Sequence, residues 1–136
     1  HSHLVEKLIS LGWKFSTVHF MAPAVTNELF DATILNAIQH KKVSNYYQYH
    51  LSDDIELKDN CSIYSKSLLY LVSNSFEPGR KTPVLGMQKF FEKQSNYDRP
   101  NIKSYHSPGV YTKSTSHGGF DNDVATIDTI IKNIKK

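Results

Sequence analysis

Apolar residues recur along this chain with two periods, and the changes of period mark its elements. Leu4, Val5, Leu8, Ile9 and Leu11 fall on one face at helical spacing, and Gly12 follows as a helix stop. Phe15 to Met21 (FSTVHFM) is rich in β-branched and aromatic residues and predicts a strand. Ala22-Pro23-Ala24 closes it, because proline donates no ladder hydrogen bond. Asn27 to His40 predicts a second helix that buries Leu29, Phe30, Ile34, Ala37 and Ile38. Val43 to His50 (VSNYYQYH) predicts a second strand, and Leu51-Ser52-Asp53-Asp54 follows it directly.

The second half repeats the alternation with longer connections. Ile63 to Val72 is apolar on most sides and predicts a buried helix. Ser73 to Pro83 contains Pro78, Gly79 and Pro83 and predicts a loop. Met87 to Lys93 predicts a short helix, and Gln94 to Pro100 is polar and irregular. Ile102 to His106 predicts a third strand, and Ser107 to Gly119 a long glycine-rich loop. Val124, Ile127, Ile131 and Ile134 define the apolar face of a terminal helix. Strands that alternate with helices imply an α/β fold, a mostly parallel sheet with helices on both faces in three α/β/α layers. Three strands are few for a doubly covered sheet, so further strands are expected on an N-terminal part. The abrupt start at His1-Ser2-His3 fits a cut inside a longer protein, or a tag remnant.

Composition narrows the classes. With 136 residues the chain is one domain, and 39% hydrophobic with 21% charged residues is an ordinary globular composition. The formal charge of +3 is mild, and the lysines are spread without a basic stripe interleaved with aromatics, which argues against a nucleic-acid partner. A single cysteine, Cys61, permits no internal disulfide and reads as a buried inert thiol rather than a nucleophile. Asn60-Cys61-Ser62 formally matches a glycosylation sequon. No apolar run approaches the ~20 residues that span a bilayer, and no basic-then-apolar leader is present, so a cytoplasmic location is expected. The histidines at 1, 3, 19, 40, 50, 106 and 117 have no metal-ligand spacing, so no metal site and no cofactor are expected. The eight tyrosines read mostly as packing residues.

Three segments carry a resemblance. STVHFMAPA is similar to the strand after the nucleophile helix of the α/β-hydrolases, YYQYHLSDDIEL to their strand and turn that present a catalytic acid, and SHGGFDNDVATIDTII to the loop with the catalytic histidine and the final helix. The chain as a whole, residues 1–136, resembles the C-terminal part of such a domain, serine esterase- or lipase-like, incomplete at its N-terminus, with residues 58–100 as a helical insert. In that family a serine hydroxyl needs an imidazole to take its proton, and the imidazole needs a carboxylate to fix its tautomer. The chain order is nucleophile, acid, histidine, each on a turn at the end of a strand.

The resemblance therefore implies Ser2 as nucleophile, Asp54 as acid (Asp53 as the alternative) and His117 as general base. The His3 backbone N–H would be one oxyanion donor. The substrate would be a small-molecule ester, cleaved by acyl transfer to water. Ser2 retains the His-Ser core of the G-x-S-x-G elbow, but Leu4 stands where its second glycine would be. Plainer roles exist for each residue. Ser2 fits a helix N-cap, Asp53-Asp54 fit caps of a helix starting at Ile55, and His117 fits an exposed loop histidine. Asp121, Asn122 and Asp123 read as caps of the last helix. The alternative function is an inactive hydrolase-like module used for binding or assembly. In either case a missing N-terminal segment or a partner chain is expected to complete the sheet.

Overall fold

The computed structural model of the chain describes residues 1–59, 67–75 and 82–136. Helix α1 (Ser2–Ser10) leads into strand β1 (Phe15–Met21) through a turn at Gly12, whose φ of 95° is open to glycine without strain. The second helical segment is continuous but not uniform: α2 (Asn27–Phe30) passes through a π-helical stretch (Asp31–Leu35) into α3 (Asn36–Gln39). Then come β2 (Val43–Leu51), α4 (Asp53–Lys58), α5 (Leu68–Ser75), α6 (Gln88–Phe91), a 3-10 turn (Ser95–Tyr97), β3 (Ile102–Ser107), a 3-10 turn (His117–Gly119) and α7 (Val124–Ile134).

The three strands form a parallel sheet in the order β1-β2-β3. Phe15 to Met21 lie opposite Val43 to Tyr49, and Tyr46 to Leu51 lie opposite Ile102 to Ser107. The fold is thus mixed α/β with a parallel sheet, as the alternating pattern predicts. Strand β2 is central, and Tyr46, Gln48, Tyr49, His50 and Leu51 are all wholly buried. A strand covered on both faces has no polar side to alternate with, which explains its near-continuous run of large residues.

Successive side chains of the sheet enter two different cores. Val18, Phe20, Tyr46 and Ile102 pack with Phe30, Ile34, Ala37 and Ile38 of the long helical segment, with Phe91, and with Val5 and Ile9 of α1. Tyr47, Tyr49, Leu51 and Tyr105 face the other way, toward Phe120, Ile55 and Ile130 of α7. The insert carries a small core of its own, where Leu69, Val84 and Met87 meet Tyr70, Val72 and Phe90. Burying four or five large apolar side chains on each face contributes roughly 1.5–3 kcal/mol apiece before chain entropy is counted.

The polar residues inside the sheet are there for reasons of attachment. Gln48 accepts from the Tyr46 hydroxyl (2.8 Å) and donates to the Leu85 carbonyl (2.6 Å), so the returning limb of the insert is bonded to the middle of the sheet. That limb then runs against the chain leaving β1. The Leu85 N–H donates to the Val25 carbonyl, the Gly86 N–H to the Pro23 carbonyl, and Thr26 bridges Val84. Gly86 permits this approach: a Cβ there would lie 2.6 Å from the Pro23 oxygen.

Three expectations about helices are corrected. The π-helical stretch takes one more residue per turn, so Thr33, Ile34 and Leu35 are buried in succession instead of at a 3-4 spacing. In α7 the apolar stripe does not face the sheet. Val124 is 72% and Ile134 56% exposed, whereas Thr126, Thr129 and Asn133 are buried beside Ile130. The buried threonines are held by Asp123, Thr112 and the Tyr111 carbonyl, so hydrogen bonds to the preceding loop decide the rotation of this helix. Helix α4 begins at Asp53 with Ser52 as N-cap, so Asp53 and Asp54 occupy its first turn and do not cap a helix starting at Ile55. Their charge still suits that end of the helix dipole. Cys61, the Asn60-Cys61-Ser62 sequon, Ile63, Tyr64, Pro78 and Gly79 lie outside the described residues. Among the described residues no helix is long and apolar enough to cross a membrane.

Candidate functional site

In a parallel sheet all strands end at the same edge, and that edge is where chain turns can converge. Helix α1 packs on the π-helical stretch Asp31–Leu35, with Val5 and Ile9 against the core. A cavity of about 800 Å³ runs along β1, lined by strand residues from Phe15 to Met21, by Pro23 and Ala24 beyond its carboxyl end, and by Ser2 of α1. The acidic turn Asp53–Asp59 follows the same end of β2, and the His117 loop follows the same end of β3.

Ser2 is buried at 6% exposure and is the first residue of α1. It is not a helix cap: the N-cap is His1, with no side-chain capping bond. The first N–H groups of a helix have no intrahelical acceptor, so the His3 N–H is unclaimed by α1; the first such bond runs from the Val5 N–H to the His1 carbonyl. The His3 ring lies outside, 3.3 Å from Glu6. The rest of the cavity wall is largely apolar, from Val5, Phe15, Val18, Phe20 and Val25.

His19 also lines the cavity. Its ring stacks on Tyr47 at 4.7 Å, its Nδ1 is 3.3 Å from the Tyr49 hydroxyl, and its Nε2 is buried without a partner. Burial pulls its proton affinity below the usual histidine value. Nothing in the pattern of β1 singles out His19, which shares the strand with the polar Ser16 and Thr17.

Asp54 is exposed on α4 and makes no hydrogen bond to a described residue. Asp53 is half-buried and faces the insert: its Oδ1 accepts from the Lys89 N–H (3.4 Å), and its own N–H donates to Gln88 (3.1 Å). His117 is half-buried, and its Nδ1 is buried without a partner among the described residues. Burial lowers the proton affinity of its ring, and the nearby Asp59 charge works in the opposite direction. Among the described residues no hydrogen bond joins Ser2, Asp54 and His117 to one another. The carboxylate that reaches the histidine loop is Asp59, whose Oδ2 accepts the His117 backbone N–H at 2.9 Å. Asp59 ends α4, 58 residues before His117, and no pattern in the sequence distinguishes it from other surface acids.

Two more buried groups lie near the strand ends. His50 is wholly buried, with its Nε2 3.0 Å from the Ser104 hydroxyl and its Nδ1 without a partner among the described residues. Burial, then the neighbouring His106, push it down to about 4, so it is neutral at pH 7. Glu56 is 1% exposed and accepts from Ser67, and burial pushes its carboxyl up to about 7. Among the described residues no group of three or more His, Cys, Asp or Glu side chains is arranged to hold a metal ion.

The chain matches no protein-family model, no curated protein and no solved structure.

Proposed function

We propose that this chain is the C-terminal part of an α/β-hydrolase-like serine hydrolase that cleaves an ester by acyl transfer to water. The observation that carries this reading is Ser2: a buried serine, with no capping duty, at the first position of a helix and on the wall of a cavity that runs along β1 to the turn beyond its carboxyl end. The acid-bearing turn after β2 and the histidine-bearing loop after β3 lie at that same edge, in the chain order such a relay requires.

In this mechanism Ser2 Oγ attacks the ester carbonyl while His117 takes its proton. The unclaimed His3 N–H, at the positive end of α1, donates to the developing oxyanion. His117 then protonates the leaving alkoxide. A water deprotonated by His117 releases the acid and regenerates Ser2. Asp54 orients the imidazole, with Asp53 as the alternative. The Ser2–His117 and His117–acid bonds are not made in this structure, and the relay requires these side chains to turn toward one another.

The outer edge of β1 pairs with no described strand, and Leu4, Trp13 and Met21 are exposed beside it. We propose that a further strand, from an N-terminal segment or a partner chain, pairs there and supplies the second oxyanion donor. Turnover of short-chain aryl esters by the intact polypeptide tests the function. Ser2→Ala and His117→Ala should each lower kcat by at least about a hundredfold. Unchanged turnover in either variant refutes it.

One observation favours a different reading, an inactive binding or assembly module. Leu4 occupies the position where a small residue permits the sharp nucleophile turn, and it is 58% exposed. A correctly folded intact protein without turnover on any ester would support that module.

A further inference from the structure

Asp59 and His117 are the two ends of a contact that ties the acidic turn to the histidine loop. The Asp59 carboxylate accepts the His117 backbone N–H at 2.9 Å. Asp59 is itself fixed, because its N–H closes α4 on the Ile55 carbonyl at 2.8 Å. Helix α4 is in turn anchored: the Ser52 N–H donates to the Ser107 carbonyl across the sheet, and Asp53 is bonded to α6. The histidine loop is held elsewhere by its own bonds. Ser107 donates to the Ser114 carbonyl, Ser114 to the Ser116 carbonyl, and the Lys113 N–H to Asp123. Among the described residues, the bond to Asp59 is the one by which Ser116 to Phe120 reach a different element.

We propose that Asp59 is the positioning residue for His117, fixing the loop that carries the imidazole to the end of α4. It acts through two separable properties, an acceptor oxygen for the backbone and a negative charge near the ring. The charge opposes the desolvation of the imidazole and favours its protonated form. That is the form a general base reaches when it takes a serine proton. The role in catalysis rests on the hydrolase reading above, but the contact and its effect on the ring do not.

Asparagine separates the two properties, since its side-chain carbonyl still accepts while its charge is gone. The test is an NMR titration of the His117 ring, assigned with His117→Gln, together with hydrogen exchange of the His117 amide, in the intact protein. Asp59→Asn should retain amide protection and lower the His117 pKa by roughly half a unit to one unit. Asp59→Ala should lose amide protection at least tenfold and lower the pKa as well. Asp59→Glu, the charge-conserving variant, should keep the ring near its wild-type pKa and serves if the alanine variant does not fold. An unchanged His117 pKa in Asp59→Asn, or unchanged amide exchange in a folded Asp59→Ala, overturns the proposal. Both readouts are independent of turnover. A protein that passes them but hydrolyses no ester refutes the hydrolase reading and leaves the positioning role standing.

Discussion

Glu56 is buried on α4 and accepts a hydrogen bond from Ser67 Oγ at 2.5 Å, while its other carboxyl oxygen has no partner among the described residues. Desolvation pushes its carboxyl from 4.5 up to about 7, with Ser67 pulling the other way. The folded state therefore binds this proton more tightly than the unfolded chain. Its contribution to stability is fully present below about pH 4.5 and is lost as pH rises through 7, on the order of 3 kcal/mol. Glu56→Gln, which mimics the protonated form, should remove that loss. Chemical denaturation from pH 4.5 to 8 should show the variant gaining on wild type as pH rises; parallel profiles would contradict the assignment.

His50 works with the opposite sign. Its folded value of about 4 lies below the ordinary 6.5, so its contribution is present above pH 6.5 and is lost as pH falls toward 4. Burial lowers His19 and His117 in the same direction. Over pH 4.5–6.5 these histidines and Glu56 act in opposite directions, so Glu56→Gln should steepen the loss of stability as pH falls. His50→Gln should have a shallower loss of stability in acid than wild type, measured as the slope of unfolding free energy against pH. An equally steep acid limb would show that His50 is not the group that titrates.

The approach of Gly86 to Pro23 gives a steric prediction. A methyl group at residue 86 would meet the Pro23 oxygen at 2.6 Å and Leu69 Cδ1 at 2.8 Å. Of these only the leucine end can move aside. Gly86→Ala should destabilise by roughly 1–3 kcal/mol and perturb the Ala22–Thr26 turn that borders the cavity. Gly118→Ala, with nothing within 4 Å, should change stability by less than about 0.5 kcal/mol. Thermal denaturation of the two variants side by side decides it, and equal effects would contradict the packing described.

Much of the fold was legible because the hydrophobic periods agree with local propensity. β1 falls on the residues its composition marks, Phe15 to Met21, and β2 and β3 each run one residue beyond theirs. Asp123 caps α7 as expected, accepting from the Thr126 N–H. What periodicity missed is what tertiary contacts decide. The face of α7 is set by hydrogen bonds from Thr126 and Thr129 to the loop, which outweigh its isoleucine stripe. The slip at Thr33–Leu35 comes from a π turn that a 3.6-residue period does not contain. In the candidate site, the turns after β2 and β3 were readable from strand order, and Ser2 as a candidate from the His-Ser core of the elbow motif. The roles of Asp59, His19 and Glu56 were not, because each depends on partners distant in the chain and on burial rather than on spacing.

Asp123 offers a test of that α7 argument. Its carboxylate accepts from the Lys113 N–H (2.7 Å), the Thr126 N–H (3.1 Å) and the Thr126 hydroxyl (2.6 Å). Burial works to raise its pKa, but these hydrogen bonds outweigh it and hold the carboxyl below its ordinary range. Asp123→Ala should cost about 1–2 kcal/mol as a lost cap. Val124→Ser and Ile134→Lys, on the exposed stripe, should each stay within about 0.5 kcal/mol of wild type. A large loss from Ile134→Lys with none from Asp123→Ala would mean that the helix buries its other face.

The central claim is that Ser2 is a nucleophile served by His117. Its most direct measurement is covalent labelling of the intact polypeptide with a fluorophosphonate, followed by mass-spectrometric mapping of the modified peptide. The account predicts a single adduct on Ser2, abolished by Ser2→Ala and slowed at least about a hundredfold by His117→Ala. No adduct on the folded protein, or an adduct on another serine such as Ser104, would contradict it.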